Sequence, residues 1–326
     1  MALAEVSVLS LGGTISSLNT GGPGVEPSLT GEALVESVPE LSGVARVSAL
    51  SVRQVAGSEL TVEDLISVAG EATRAIDGGA SGVVVTQGTD SIEETAFALD
   101  LLVDRDAPVV VTGAMRNPTL PGADGPANLL AAVTVAANGA ARELGALVVM
   151  NDEVHAARFV KKTHTGSPAA FRSPLAGPIG WISEGAPRIA LRPTGRRHVR
   201  PKEGRTDSVA LLTASVGDDG RLVGAIKDLS YAGLVVEALG GGHVPSPMVE
   251  PLAELAEAIP VVLASRTGSG EVLTRTYGFP GSEMDLIGRG LIPAGALDGP
   301  KARLLLTLLL RSRAPRTEIS KTFETP

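Results

Sequence analysis

Two hydroxyl-bearing residues, Thr14 and Thr89, stand where an apolar run breaks into glycine: Leu9-Ser10-Leu11-Gly12-Gly13-Thr14-Ile15 and Val83-Val84-Val85-Thr86-Gln87-Gly88-Thr89-Asp90-Ser91. An α/β fold presents polar side chains in this way, on turns leaving the carboxyl ends of buried strands, where such folds bind ligands. A threonine hydroxyl is a weak nucleophile until a base takes its proton, so chemistry at either position needs a partner. Lys162 together with Asp90 supplies one if the lysine is partly buried. Burial lowers a lysine pKa and a neighbouring carboxylate raises it, so the two would sit as an ion pair until substrate enters.

Each of these residues also has a plainer reading. Thr14 alone is a glycine-flanked turn hydroxyl, Asp90 is the N-cap of the helix that follows it, and Ser58 ahead of Leu60-Thr61 is a turn residue. Lys161-Lys162 is ordinarily a solvated pair, and Asp124-Gly125-Pro126 is a turn leading into a helix. Only the two threonine motifs together favour catalysis. His155, His164, His198 and His243 lack metal-ligand spacing and the chain has no cysteine, so no metal, disulfide, thiolate or iron–sulfur cluster is expected. Gly12-Gly13 is not a G-x-G-x-x-G run, which leaves a dinucleotide fold only a weak competitor.

The elements that must position these residues follow from hydrophobic patterning. Apolar runs at 6–11, 82–86, 108–112 and 146–150 read as strands, and amphipathic stretches at 61–76, 91–103 and 126–138 as helices. Thr61-Val62-Glu63-Asp64 resembles a capping box, and Glu93 and Glu94 fall in the first turn of the helix after Asp90, where carboxylates meet the positive end of the dipole. Residues 152–165 read as an extended excursion carrying Lys162. The alternation restarts with strands at 209–213, 233–237 and 260–264 and helices near 220–228, 246–258 and 299–311. This pattern predicts an α/β protein of two domains: a larger N-terminal one with a mixed, mostly parallel sheet over 1–190, and a smaller C-terminal α/β one with a parallel sheet over 208–326. Between them, 191–207 is basic and rich in Pro and Gly, and reads as a solvated linker.

Composition sets outer bounds. With 326 residues and 44% hydrophobic content a large core is assured, and with one Trp, two Tyr and five Phe it must be built from Val, Leu, Ile and Ala. A formal charge of −8 gives no general attraction to phosphate backbones, so no nucleic-acid partner is expected. No apolar run reaches 18 residues, and no basic segment or cleavage site precedes the first strand, so no membrane association is expected and the protein reads as cytoplasmic.

Several motifs taken in order resemble the bacterial-type L-asparaginases of the asparaginase/glutaminase family. They are Gly12-Gly13-Thr14-Ile15, Thr86-Gln87-Gly88-Thr89-Asp90-Ser91, Gly113-Ala114-Met115-Arg116, residues 123–129, Val148-Val149-Met150-Asn151-Asp152, Lys162-Thr163 and residues 301–306. The resemblance implies hydrolysis of the side-chain amide of asparagine, sometimes also of glutamine, with no cofactor. Thr14 would be the nucleophile and form an acyl-enzyme, with Thr89, Asp90 and Lys162 as a second cluster that moves protons or places water. Ser58 would bind the substrate α-carboxylate and Asp90 its α-ammonium group. Gly13, Gly57, Gly88, Ala114 and Glu26 complete the expected binding residues. Backbone N–H groups at Thr89 or near Ala114 would face the oxyanion, worth roughly 3–4 kcal/mol in comparable acyl-transfer sites. The family also implies a homotetramer of close dimers, with each site at a subunit boundary.

The chain departs from the family's pattern in places. The loop after the nucleophile, residues 18–26, has no tyrosine, and only Tyr231 and Tyr277 occur in the chain. Glu26, or Tyr277 from another subunit, is the expected substitute. Gly240-Gly241-Gly242-His243 lacks an asparagine that the family often lends to a neighbouring site, leaving Glu271 or Glu283 to contribute there. Two other functions stay open on the sequence: an amino-acid sensor that binds without turnover, and the amidase subunit of a tRNA-dependent amidotransferase. The position of Thr14 near the start of the chain disfavours the second.

Overall fold

The valine and leucine run at 6–11 forms the centre of a sheet because two flanking strands bury it. Strand β1 (Ala4–Gly12) pairs in parallel with β2 (Ala45–Val55) on one side and β3 (Gly82–Thr86) on the other, and Ser10 lies level with Ser51 and Thr86. The computed structural model describes residues 2–18, 24 and 26–324. Beyond β3 follow β4 (Val109–Thr112) and β5 (Ala146–Met150), both parallel. The sheet then reverses through β6 (Glu153–Ala156), β7 (Gly180–Ser183) and β8 (Ala186–Ile189), giving the order β8-β7-β6-β5-β4-β3-β1-β2. This is the mixed, mostly parallel sheet expected.

Side chains alternate between the two faces of this sheet with the strand period of two. Val84 and Val110 join one core with Leu129, Ala132 and Val133 of helix α3 (Gly125–Ala136). Val83, Val85 and Leu9 join the other with Val68 and Ala72 of α1 (Val62–Asp77) and Ala96 and Leu99 of α2 (Ile92–Leu102). With both faces covered, β3 and β4 are buried at every position, which is why they read as unbroken apolar runs.

The chain divides into two compact units, one up to His198 and one from Val199. The second holds a parallel sheet of β9 (Val209–Thr213), β10 (Gly233–Ala238), β11 (Val261–Ser265) and β12 (Ile292–Pro293), in that order. Helix α4 (Val249–Ala258) packs in its core; α5 (Gly299–Arg311) buries nearly all of its leucine run, and α6 (Arg316–Glu324) ends the unit. Among the described residues no helix is long and apolar enough to cross a membrane.

Two local expectations change. The Asp90 side chain does not cap α2; residues 89–91 form a separate 3-10 turn, and the helix begins at Ile92 without a side-chain cap. In the basic stretch Arg196 is not solvated: its Nε donates to Asp100 Oδ1 at 3.2 Å and its Nη2 to the Val103 carbonyl at the end of α2. A cation at a helix C-terminus satisfies carbonyls that the helix leaves open.

The Thr61 capping box is present in full. The Thr61 hydroxyl accepts from Asp64 N at 3.2 Å, and Asp64 Oδ2 accepts from Thr61 N at 3.0 Å. Burial pushes the Asp64 carboxyl up, but the Thr61 hydrogen bonds and the Arg53 guanidinium outweigh it, so the group titrates below its ordinary value. A folded-state pKa below the unfolded one means stability present above the unfolded value and lost as pH falls through the folded value. Asp64→Asn is therefore expected to lower stability by about 1 kcal/mol at neutral pH. Thermal unfolding at a series of pH values should show that deficit shrinking in strong acid.

Candidate active site

The carboxyl ends of four neighbouring parallel strands, β2, β1, β3 and β4, carry the turns on which most of the expected site residues lie. Thr14 opens a 3-10 turn directly after β1, Ser58 sits in another after β2, and Thr89 and Asp90 in a third after β3. The Gly113-Ala114 turn follows β4.

Glycine lets these turns close on one another. Gly13 has φ +81°, and a Cβ built there would fall 1.9 Å from the backbone nitrogen of Gly88. A Cβ on Gly88 would fall 2.7 Å from Gly57 N, and one on Gly57 would fall 2.9 Å from Gly88 O. The backbones after β1, β3 and β2 thus touch at positions where no side chain fits. A Cβ on Gly113 would lie 2.6 Å from Gln87 O and 3.2 Å from Thr89 Cγ2, so the Ala114 turn abuts the Thr89 turn as well. The Gly13 N–H is taken by Val55 O at 3.1 Å.

Lys162 reaches this cluster from the two-residue strand Lys161–Lys162. Its Nζ lies 2.9 Å from Thr89 Oγ1 and 2.7 Å from Asp90 Oδ1. Thr89 is 6% exposed; the Lys162 side chain is 16% exposed and that of Asp90 is 70% exposed. Such a pair, with one member in water, adds little to stability, but it aims the ammonium at the hydroxyl. A cleft of about 590 Å³ opens beside it, lined by Asp90, Lys162, Thr163, His164 and Thr165.

A supporting layer fixes these turns. Ser91 Oγ donates to Gly57 O at 2.8 Å, and Gln87 Nε2 donates to Gly88 O and Ser91 Oγ, both at 3.2 Å. The Asp124 carboxylate accepts from Met115 N at 3.0 Å and Arg116 N at 2.8 Å, and Asn128 Nδ2 donates to Gly113 O at 3.0 Å. Glu93 accepts from the Lys162 backbone N–H. On the sequence Asp124 reads as a turn residue and Glu93 as a helix-dipole carboxylate; both also hold site turns. The signal available for Asp124 was its spacing to Asn128, one helical turn on.

Of the remaining expected residues, Ser58 and Glu26 are exposed, and Glu26 pairs with Leu18 in a short antiparallel bridge. Most of the 18–26 loop lies outside the described residues. Tyr277 belongs to the second unit, where its ring meets His243 edge-on at 4.9 Å. Glu283 is buried there, accepts from Thr276 N and Tyr277 N, and lies 3.2 Å from His243 Nε2. Among the described residues no group of three or more His, Asp or Glu is arranged to hold a metal.

The fold and these turns define a two-unit α/β protein with paired threonine turns at one sheet edge. The model of the asparaginase N-terminal domain matches residues 5–194, and that of the glutaminase/asparaginase C-terminal domain matches 208–323. The chain is 38% identical to the "Probable L-asparaginase" of Deinococcus radiodurans, over 99% of this chain and 98% of that one. It is 33% identical to "L-asparaginase 2" of Escherichia coli, over 99% and 93%. The crystal structure of a "Probable Cytoplasmic L-asparaginase" from Campylobacter jejuni superposes with a TM-score of 0.89 at 30% identity, covering 99% of this chain and all of that one. The chain belongs to the asparaginase/glutaminase family.

The glycine approach gives a direct test. Gly13→Ala places a Cβ against backbone that cannot move aside and is expected to lower the melting temperature and abolish turnover. Gly139→Ala, where an added Cβ meets nothing within 4 Å, should do neither. Melting curves and ammonia release for the two variants check it.

Proposed function

We propose that this protein hydrolyses the side-chain amide of L-asparagine to L-aspartate and ammonia through an acyl-enzyme on Thr14. The observation that carries the reading is the Lys162 ammonium set 2.9 Å from the Thr89 hydroxyl and 2.7 Å from the Asp90 carboxylate, on a turn pressed through Gly88 against Gly13 and thus against the turn bearing Thr14.

In the proposed reaction Thr14 Oγ1 attacks the amide carbon and gives up its proton, which ends on the leaving nitrogen as ammonia departs. Water placed by Thr89 then attacks the ester; Thr89 takes its proton and passes its own to Lys162 as the ammonium releases one to Asp90, and the Thr14 oxygen regains a proton from this proton chain as aspartate leaves. Backbone N–H groups at Thr89 and Ala114 face the oxyanion. Ser58 receives the α-carboxylate and Asp90 the α-ammonium group, so the zwitterion meets a hydroxyl and a carboxylate on adjacent turns. Gly13, Gly57 and Gly88 give the backbone the closeness this requires, and Glu26 takes the place of the loop tyrosine in activating Thr14. No cofactor enters. The exposure of Ser58 and Asp90 on the single chain fits a site completed at a subunit boundary in a homotetramer, and the Campylobacter neighbour supports a cytoplasmic location.

Ammonia release from asparagine and from glutamine by the purified protein tests the reading. Thr14→Ala is expected to reduce turnover to background, and Lys162→Met to reduce it about 10²–10⁴-fold. Full turnover in both variants overturns the site, and saturable asparagine binding without turnover in the unaltered protein replaces the enzyme by a sensor. Glu26→Gln is expected to lower kcat about tenfold or more, as loss of a general base does; an unchanged kcat removes Glu26 from the mechanism.

A further inference from the structure

Lys162 lies on a two-residue strand that, among the described residues, pairs with Phe171–Arg172, Lys162 opposite Phe171 and Lys161 opposite Arg172. Thr163 closes the hairpin, its N–H and hydroxyl both donating to Ala170 O at 2.8 and 2.9 Å. The position of the ammonium therefore depends on the Glu93 carboxylate at the start of α2, which accepts from the Lys162 N–H, and on what fixes the strand at 171–172.

That strand is tied to β6 by a compact polar network. Arg172 Nη1 straddles the Glu153 carboxylate, at 3.1 Å from Oε1 and 3.0 Å from Oε2. The next residue, Ser173, has its hydroxyl 3.0 Å from Nδ1 of His155, and His155 Nε2 lies 3.3 Å from Glu153 Oε2. Glu153 and His155 stand two residues apart on β6 and so share one face of the strand. His155 is fully buried. Burial pushes its pKa down against the pull of Glu153, which favours the neutral ring, and its Nδ1 shares a hydrogen bond with the Ser173 hydroxyl. An apolar residue would fill this place without the desolvation that an imidazole carries, so its packing alone does not account for it.

We propose that His155, Ser173, Glu153 and Arg172 form a positioning network that sets the Lys162 ammonium on Thr89 by fixing the strand paired with it. The inference rests on the proposed catalytic part of Lys162. The network touches no substrate and acts only through the hairpin. A shift of about 1 Å at a group remote from the chemistry is enough to cost up to about a hundredfold in rate.

The test is steady-state kinetics with asparagine on Ser173→Ala, on Arg172→Gln at an exposed position that leaves the core intact, and on His155→Leu and His155→Gln. Ser173→Ala, Arg172→Gln and His155→Leu are expected to lower kcat, about tenfold for Ser173→Ala, with KM within about twofold because the turns of Ser58 and Asp90 are fixed by the Gly57–Gly88 approach and the Ser91–Gly57 hydrogen bond, not by the hairpin. His155→Gln should recover most of the loss, since its carboxamide can keep the hydrogen bond to Ser173. In a Lys162→Met background Ser173→Ala should lower the residual rate no further. Wild-type kcat in both Ser173→Ala and Arg172→Gln, with Lys162→Met impaired, overturns this inference alone, as does an equal loss from Ser173→Ala in both backgrounds. Wild-type turnover in Lys162→Met overturns the reading of the lysine and this inference with it.

Discussion

Backbone meeting backbone at Gly13, Gly57 and Gly88 is the constraint on which the site depends. A Cβ at Gly13 would sit 1.9 Å from a peptide nitrogen, a distance that no side-chain rotamer can relieve. The turns after β1, β2 and β3 can share one small volume only because all three lack side chains where they touch. Strand order does the rest. Because β1 lies between β2 and β3 and all three run parallel, their carboxyl ends arrive side by side. In the proposed reaction the nucleophile, the carboxylate binder and the proton-transfer cluster occupy those three turns in turn.

Much of this order is legible in the residues. Strands buried on both faces, such as β3 and β4, announce themselves as valine runs, and α1 is marked by its Thr61–Asp64 box. β2 is less legible because it is an edge strand: only Ala45 is buried and Ser48, Ser51 and Gln54 are exposed, so no apolar run marks it. The hairpin of β7 and β8 is short and turns through Glu184-Gly185, both at positive φ, which is a weaker signal than Asn-Gly. Helix α6 buries little beyond Ile319, Thr322 and Phe323, too few positions to establish a helical period.

The supporting hydrogen bonds were not legible for a different reason. Glu93 and Asp124 each have an ordinary local explanation, as a first-turn carboxylate and a turn residue, and both explanations stand in the folded chain. What sequence spacing cannot express is that a carboxylate at the start of one helix meets a backbone N–H on a hairpin 69 residues away. Arg196 shows the same gap. Within a basic, Pro- and Gly-containing stretch it reads as solvated, yet it lies on the carbonyls ending α2 and on Asp100, whose Oδ1 also accepts from Ala146 N at the start of β5.

The environments of the two threonines also differ in a way that suits the division of labour proposed for them. Thr14 is partly exposed on a turn whose entrance is fixed by Gly13 N–H to Val55 O. Thr89 is buried, and its oxygen accepts from an ammonium held in place by a carboxylate on the adjoining residue. An oxygen accepting from a cation is a poor attacking group, because the charge withdraws electron density from it, and the same withdrawal makes its own proton easier to give up. A proton-transferring role therefore fits Thr89 better than a nucleophilic one, which agrees with the attack proposed for Thr14.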